Sequence, residues 1–352
     1  MVDYQKQKIK KNIYTMEEGS YIYSRKESFD TLKFFLAFFV IVIHTGFTGY
    51  IGLGINAIAR IAVPLFFMIT GYYLPTMNDE KFKKYIYKII YLTVISTLFY
   101  ALISYTEFGN GKFFNWFTQT FKIKKLCCWL FLNTTPIAAH LWYFYALLYV
   151  LIIIYTARIF KKINLLYKTI PLLFLGNYIF SYFHVLFYRN FLFTGLLYVL
   201  LGYFFRNNEK TLINITHTTK ILILGLITFC IGLGIEMFVY KLTGVKVIRD
   251  HFLFTLPMVI CIFILTLRHP HIGAGAFLTT IGKKYSGYIY IMHPFVMFLT
   301  KYEFRFFFEK QVIQSNFFRN IYPFIVFGIT LTIVFIGNKL FELLQVKRKN
   351  CR

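Results

Sequence analysis

A chain of 352 residues is long enough for two soluble domains, but its composition excludes them: 58% of the residues are hydrophobic, 21% aromatic and only 15% charged, against about 25% charged in soluble domains. Several apolar runs reach the roughly 20 residues that a helix needs to cross a hydrocarbon core of about 30 Å, so the sequence predicts an all-α, polytopic transmembrane helix bundle. The charge is lopsided, 39 Lys+Arg against 14 Asp+Glu for a formal net of +25, and basic loops bordering a membrane account for it without a nucleic-acid partner.

Residues 1–28 are polar and mixed in charge, lack the continuous apolar stretch of a cleaved signal peptide, and read as a cytoplasmic tail. The membrane domain extends over 29–345, and a basic cytoplasmic tail fills 346–352. Apolar runs place about ten spans, near 31–49, 56–75, 86–106, 140–158, 168–187, 190–206, 219–240, 249–267, 285–302 and 320–343. An even number puts both termini on one side. Sorting the loop cations on that basis leaves 24 with the termini and 12 on the other face, a bias that makes the terminal side cytoplasmic. Lys33, Arg60 and Lys339 fall inside spans; Lys339, near the end of the last one, can snorkel.

An ionisable side chain at mid-bilayer costs at least roughly 2.5–3.5 kcal/mol, so each one marks a candidate site. In the first span Lys33 and His44 are eleven residues apart. At 100° per residue that is about 20° from three full turns, so both project from one face, about 16 Å apart along the axis. A histidine there can do acid/base work near neutral pH. The second span, INAIARIAVPLFFMITGYYL, holds Arg60, which keeps its charge and so needs water, a carboxylate or an anionic ligand. Pro64 bends that helix, while Thr70 and Gly71 allow close packing.

The only sizeable segment between spans, roughly 107–139, mixes lysines with aromatics and suits an interfacial element. HLWYFYALLYV then opens the fourth span with His140 and Trp142, the tryptophan fitting an interfacial belt. Arg189 and Asn190 open the sixth, where Gly195 and Gly202 are spaced for close helix contact. Glu236 in the seventh is expected to pair with Arg60 or Arg189. IGKKYSGYIYIMHPFVMFL brings Tyr290, His293 and Pro294 together in the ninth. The five cysteines show neither disulfide nor metal-site spacing. No HExxH, GxSxG or P-loop motif is present, and the eight histidines do not cluster as ligands, so no metal is expected.

Lys33 with His44 beyond it, RIAVPLFFMITGYYL, HLWYFYALL, RNFLFTGLLYVLLGYFF and IGKKYSGYIYIMHP, in that order over roughly 27–345, together resemble the acyltransferase-3 family of integral membrane acyltransferases. The resemblance implies a ten-span bacterial plasma-membrane enzyme, embedded in membrane lipids, that O-acylates cell-surface polysaccharide or a related glycan from cytoplasmic acyl-CoA, acetyl-CoA first. Under it, His44 is the general base and Arg60 stabilises the oxyanion. Lys33, aided by Lys81, Lys83 or Lys84, holds the CoA phosphates. His140, Trp142, Arg189, Asn190, Glu236, Tyr290 and His293 are possible lining. RNFLF and AVPLFFMITGYY bring the subtype close to the membrane portion of the vancomycin-resistance serine racemases. That likeness implies the alternative, a transporter of a small amino acid such as serine, which needs the same buried polar residues.

Overall fold

Helix is the only regular structure among the described residues of the computed structural model, which are 26–109, 111–183, 189–215, 219–244, 251–307 and 309–350. A hydrocarbon environment favours this, because a helix satisfies its own backbone groups. In chain order the main helices are α1 (Glu27–Thr45), α2 (Gly49–Ala59), α3 (Ala62–Tyr73), α4 (Asp79–Phe108), α5 (Trp142–Ile159), α6 (Ile170–Tyr182), α7 (Leu197–Asn207), α8 (Thr219–Leu242), α9 (Thr255–Arg268), α10 (Phe277–Phe307) and α11 (Asn316–Asn350).

Each apolar run of the sequence overlaps a helix, residues 184–187 and 249–250 of the fifth and eighth runs lying outside the described residues, but among the described residues six helical segments are long and apolar enough to cross a membrane: α1, α2 and α3 taken as one, α4, α5, α8 and α11. Helices α6, α7 and α9 have 13, 11 and 14 residues, short of the roughly 20 that a full crossing takes. Charged residues near both ends of α10, Lys283, Lys284, Lys301, Glu303 and Arg305, dilute its apolar character. Of the tail expected over 1–28, residues 1–25 lie outside the described residues and α1 already begins at Glu27. Residues 351–352 of the C-terminal tail also lie outside them.

Two close helix pairs organise the centre. Helix α3 packs along α7, where a Cβ on Gly71 would overlap the Val199 carbonyl and one on Gly202 would overlap the Met68 carbonyl. Each glycine thus admits the backbone of the opposite helix. Helix α10 packs along α1 through Gly282, whose Cβ would collide with the Asp30 carbonyl. Around these contacts Leu65, Phe67, Met68, Tyr72, Val199 and Leu200 are fully buried.

At the Lys33 end of the bundle, ion pairs join the start of α1 to the segment after α7. Lys26 Nζ donates to Glu209 Oε1 at 2.6 Å. The Tyr72 hydroxyl and Arg206 Nη1 donate to Glu209 Oε2 at 2.5 and 3.0 Å. Burial alone would raise the Glu209 carboxyl, but hydrogen bonds from Lys26 and Tyr72, with the Lys26 and Arg206 charges, outweigh it and hold it below its ordinary 4.5. A depressed carboxylate contributes stability fully above its unfolded pKa and loses it as pH falls through the folded value. Glu209→Gln should therefore melt earlier than the parent protein at pH 7, and that gap should close in thermal melts taken progressively below pH 4.5.

The segment between α4 and α5 forms two short helices, Phe113–Thr120 and Ile123–Leu132. Trp116 turns inward, its Nε1 donating to Ser104 Oγ at 3.1 Å, while Phe114, Ile123 and Phe131 are exposed beside Lys122, Lys124 and Lys125. Apolar side chains flanked by lysines are the composition of an element lying at a membrane surface.

Candidate active site

Lys33 and His44 sit on one helix, α1, and open into different cavities. Lys33 lines a cavity of about 520 Å³ bounded by α1, α3, α4, α5 and α10. Its Nζ donates to Asp30 Oδ1 at 3.2 Å, and Asp30 is only 2% exposed. The other cations of this cavity are Lys88 of α4 and Lys283 and Lys284 of α10. Lys81, Lys83 and Lys84 are exposed in the first turns of α4 and do not line it; Lys88, one turn beyond Lys84, does. Tyr73, Tyr85, Tyr143 and Tyr290 form much of the wall between these lysines.

Tyr290 also lines a second, smaller space of about 60 Å³, shared with His44, Arg60, His140, Trp142, Arg189 and His251. Arg60 occupies the break between α2 and α3, because Pro64 has no N–H to return to the Arg60 carbonyl four residues earlier. Arg60 Nη2 donates to Asn56 Oδ1 at 3.3 Å, and Asn56 Nδ2 donates to the Val42 carbonyl at 3.3 Å, so Asn56 holds the guanidinium against α1. His44 is the next-to-last residue of α1; the chain turns at Gly46, which leaves the His44 ring exposed. His44 and Arg60 then line a third space, a vestibule of about 600 Å³ that also includes Asn56, Asn316 and Arg319.

Two further histidines stand behind His44. The His293 ring, fully buried, is 5.2 Å from that of His44 and 5.9 Å from that of His140, centre to centre. His293 Nδ1 lies 3.3 Å from the Ile289 carbonyl. A carbonyl can only accept, which assigns the proton to Nδ1 and leaves a lone pair on Nε2. Neither His293 Nε2 nor His140 Nε2 has a hydrogen-bond partner among the described residues. The Tyr290 hydroxyl donates to the His140 carbonyl at 2.6 Å, fixing the turn that precedes α5. Pro294 interrupts α10 beside His293. The Tyr100 hydroxyl of α4 donates to the Ile291 carbonyl at 2.6 Å and accepts from the Phe295 N–H at 3.2 Å, inserting into the helix ladder at the proline.

The remaining expected residues divide. Trp142, rather than standing at a lipid interface, is buried in the small chamber and packs on Phe67 with ring centres 6.1 Å apart. Asn190 does not line the chamber. Its Oδ1 accepts from the N–H groups of Leu192 and Phe193 at 3.0 and 2.9 Å, capping the π-helical turn Phe191–Leu196 and setting the backbone from which Arg189 reaches in. Glu236 pairs with neither arginine. Its carboxylate accepts from the Leu253 N–H at 3.0 and 2.9 Å and from the Tyr240 hydroxyl at 2.7 Å, because α8 lies to the side of the chamber.

His251, Asp30, Lys88, Lys283, Lys284 and Arg319 were not among the residues picked from sequence. Lys283 and Lys284 stood in the IGKKYSG run, and His251 at the polar start of the eighth apolar run. His251 Nε2 lies 3.3 Å from Thr194 Oγ1, and its carbonyl accepts from Ser181 Oγ at 3.0 Å. Among the described residues no three His, Cys, Asp or Glu side chains converge as metal ligands.

A bundle of apolar helices with a lysine-lined cavity, a small chamber holding a histidine and an arginine, and a vestibule that shares those two residues has the composition of a membrane protein with polar sites inside its helix bundle. The chain belongs to the acyltransferase-3 family, whose acyltransferase domain matches residues 26–338. It is also 28% identical over 312 residues to an amino-acid racemase of Enterococcus faecalis, a match that takes in 78% of this chain and 41% of that protein. The chain thus spans less than half the length of that relative. No solved structure matches it.

Proposed function

We propose that the protein moves an acyl group, acetyl first, from cytoplasmic acyl-CoA to a hydroxyl of an extracytoplasmic cell-surface glycan or related acceptor. The observation that carries this reading is the succession of three spaces that share walls: Tyr290 belongs to the lysine-lined cavity and the chamber, and His44 and Arg60 to the chamber and the vestibule. The reading takes the chain as a ten-span protein of a bacterial plasma membrane with both termini inside, the two-to-one bias of loop cations supporting that orientation. The Lys33 end is then the donor side.

The CoA phosphates rest on Lys88, Lys283 and Lys284, with Lys33 held by Asp30 beside them. The pantetheine arm extends along α1, whose rise from Lys33 to His44 is about 16 Å, and presents the thioester carbonyl in the chamber. An acceptor hydroxyl enters from the vestibule. Its oxygen bonds to the carbonyl carbon while His44 takes its proton, and the Arg60 guanidinium faces the negative charge that develops on the carbonyl oxygen. The carbon–sulfur bond then breaks and the CoA thiolate recovers the proton from His44. Steady-state kinetics of a Lys283→Ala, Lys284→Ala double variant should show the KM for acetyl-CoA raised roughly tenfold with kcat nearly unchanged, the pattern of lost uniform binding.

Proteoliposomes loaded with radiolabelled acetyl-CoA and bathed in hydroxyl acceptors test the reaction itself. Label on an acceptor is the expected result. The second reading, passage of a small amino acid such as serine, draws on the likeness to an amino-acid racemase and uses the same three spaces. Serine uptake into unloaded vesicles with no acyl transfer would replace the first reading by the second.

A further inference from the structure

The vestibule is one-sided in charge. Of the charged residues that line it, Arg60 comes from the α2–α3 break and Arg319 from the first turns of α11, and no Asp or Glu joins them among the described residues. A third cation stands at its rim, where Lys241 Nζ donates to the Tyr50 hydroxyl at 2.8 Å and lies over that ring. Arg189 adds a fourth in the adjoining chamber, where likewise no Asp or Glu is found among the described lining residues. Glu107 lines a neighbouring cavity with Lys301 and Arg319.

The opposite end of the bundle is balanced differently: Lys33 meets Asp30, and Lys26 and Arg206 meet Glu209. The vestibule wall is also firmly built. Thr48 donates through both its N–H and its hydroxyl to Asn320 Oδ1, at 2.8 and 2.9 Å, tying the loop after α1 to the residue next to Arg319. Asn56 orients Arg60 from the other side. Two guanidinium groups on fixed walls of one opening form a fork for planar or tetrahedral oxyanions, and a concave surface of one sign concentrates counter-ions at its mouth.

Building on the transfer reading above, we infer that the acceptor carries an anionic group, a carboxylate or a phosphate, next to the hydroxyl that is acylated. The anion lies between Arg319 and the rim and thereby brings the neighbouring hydroxyl to His44. A neutral sugar offers these cations only hydroxyl acceptors, without the stronger charge-assisted bonds that an anion accepts.

Binding measured separately from transfer tests this. Methyl glucuronoside, glycerol 3-phosphate and methyl glucoside are titrated against the purified full-length protein at low and high salt, and the same three are offered as acceptors to the loaded proteoliposomes. At least one of the two acidic probes should bind about tenfold or more tighter than the glucoside and lose affinity with salt; which of the two does so separates carboxylate from phosphate. Arg319→Gln should weaken that probe at least about fivefold, and Arg319→Lys less. Glucoside binding as tight as the tighter of the two acidic probes, or acidic binding indifferent to Arg319→Gln, overturns the inference even if label is transferred. Tight, Arg319-dependent acidic binding with no label transferred upholds the anion site and instead removes the acyl-transfer reading.

Discussion

His44→Ala should lower acyl transfer by about 10²–10⁴-fold, the usual contribution of a general base, while leaving acetyl-CoA binding at the opposite end of α1 intact. The geometry gives the reason for so large an effect at one residue. His44 and Arg60 line both the chamber and the vestibule, which under the proposed transfer is where donor and acceptor would meet. His293 lines none of the three spaces and His140 only the chamber. Neither can take over from an imidazole at the junction. Equilibrium binding of acetyl-CoA measured beside turnover separates the two effects: a variant that binds the donor normally and still transfers at the parental rate removes His44 from the chemistry.

The largest effect on folding is expected at the α3–α7 contact. Gly202→Val places a branched side chain against the Met68 carbonyl and the Tyr72 N–H, both main-chain groups that cannot turn aside. Overpacking of a tight core costs typically about 1–3 kcal/mol, and more where backbone must move. Because α3 also carries Val63 and Pro64 into the chamber, separation of the helices disturbs the site as well. We expect Gly202→Val to give little folded protein and a melting temperature well below that of the parent, with Gly202→Ala intermediate. An unchanged melting temperature for the valine variant would mean that the two helices do not meet closely there.

Much of this was legible in the sequence because the bilayer leaves few choices. A helix is the economical way to cross it, so the apolar runs marked the helices, and glycines within them marked close approaches, as at Gly71 and Gly202. Charges inside such runs stood out, and Lys33, His44 and Arg60 all face cavities. What was not legible depends on how one helix meets another. Asp30 reads as one more polar residue before the first span, and its role emerges only where Gly282 lets α10 lie against it. Sequence cannot say which turn of α4 faces inward, so Lys81, Lys83 and Lys84 were expected at the cavity that Lys88 lines. The apolar run also continued past His44 to about residue 49, whereas α1 stops at Thr45; that early end is what opens the His44 ring to the vestibule. Glu236 looked like a counter-ion because charge alone does not reveal that α8 stands aside from the arginines.

The hydroxyl of Tyr100 binds the α10 backbone on both sides of Pro294, at the Ile291 carbonyl and the Phe295 N–H. On the N-terminal side of the proline α10 carries both Lys283 and Lys284, which face the large cavity, and His293, which joins the histidine cluster. The Tyr100 contact to the α10 backbone comes from α4, the helix that also brings Tyr85, Lys88 and Ile89 to the same cavity. One helix, α4, thus both lines the large cavity and holds the backbone of α10 beside the histidine cluster, so the two regions share a wall element.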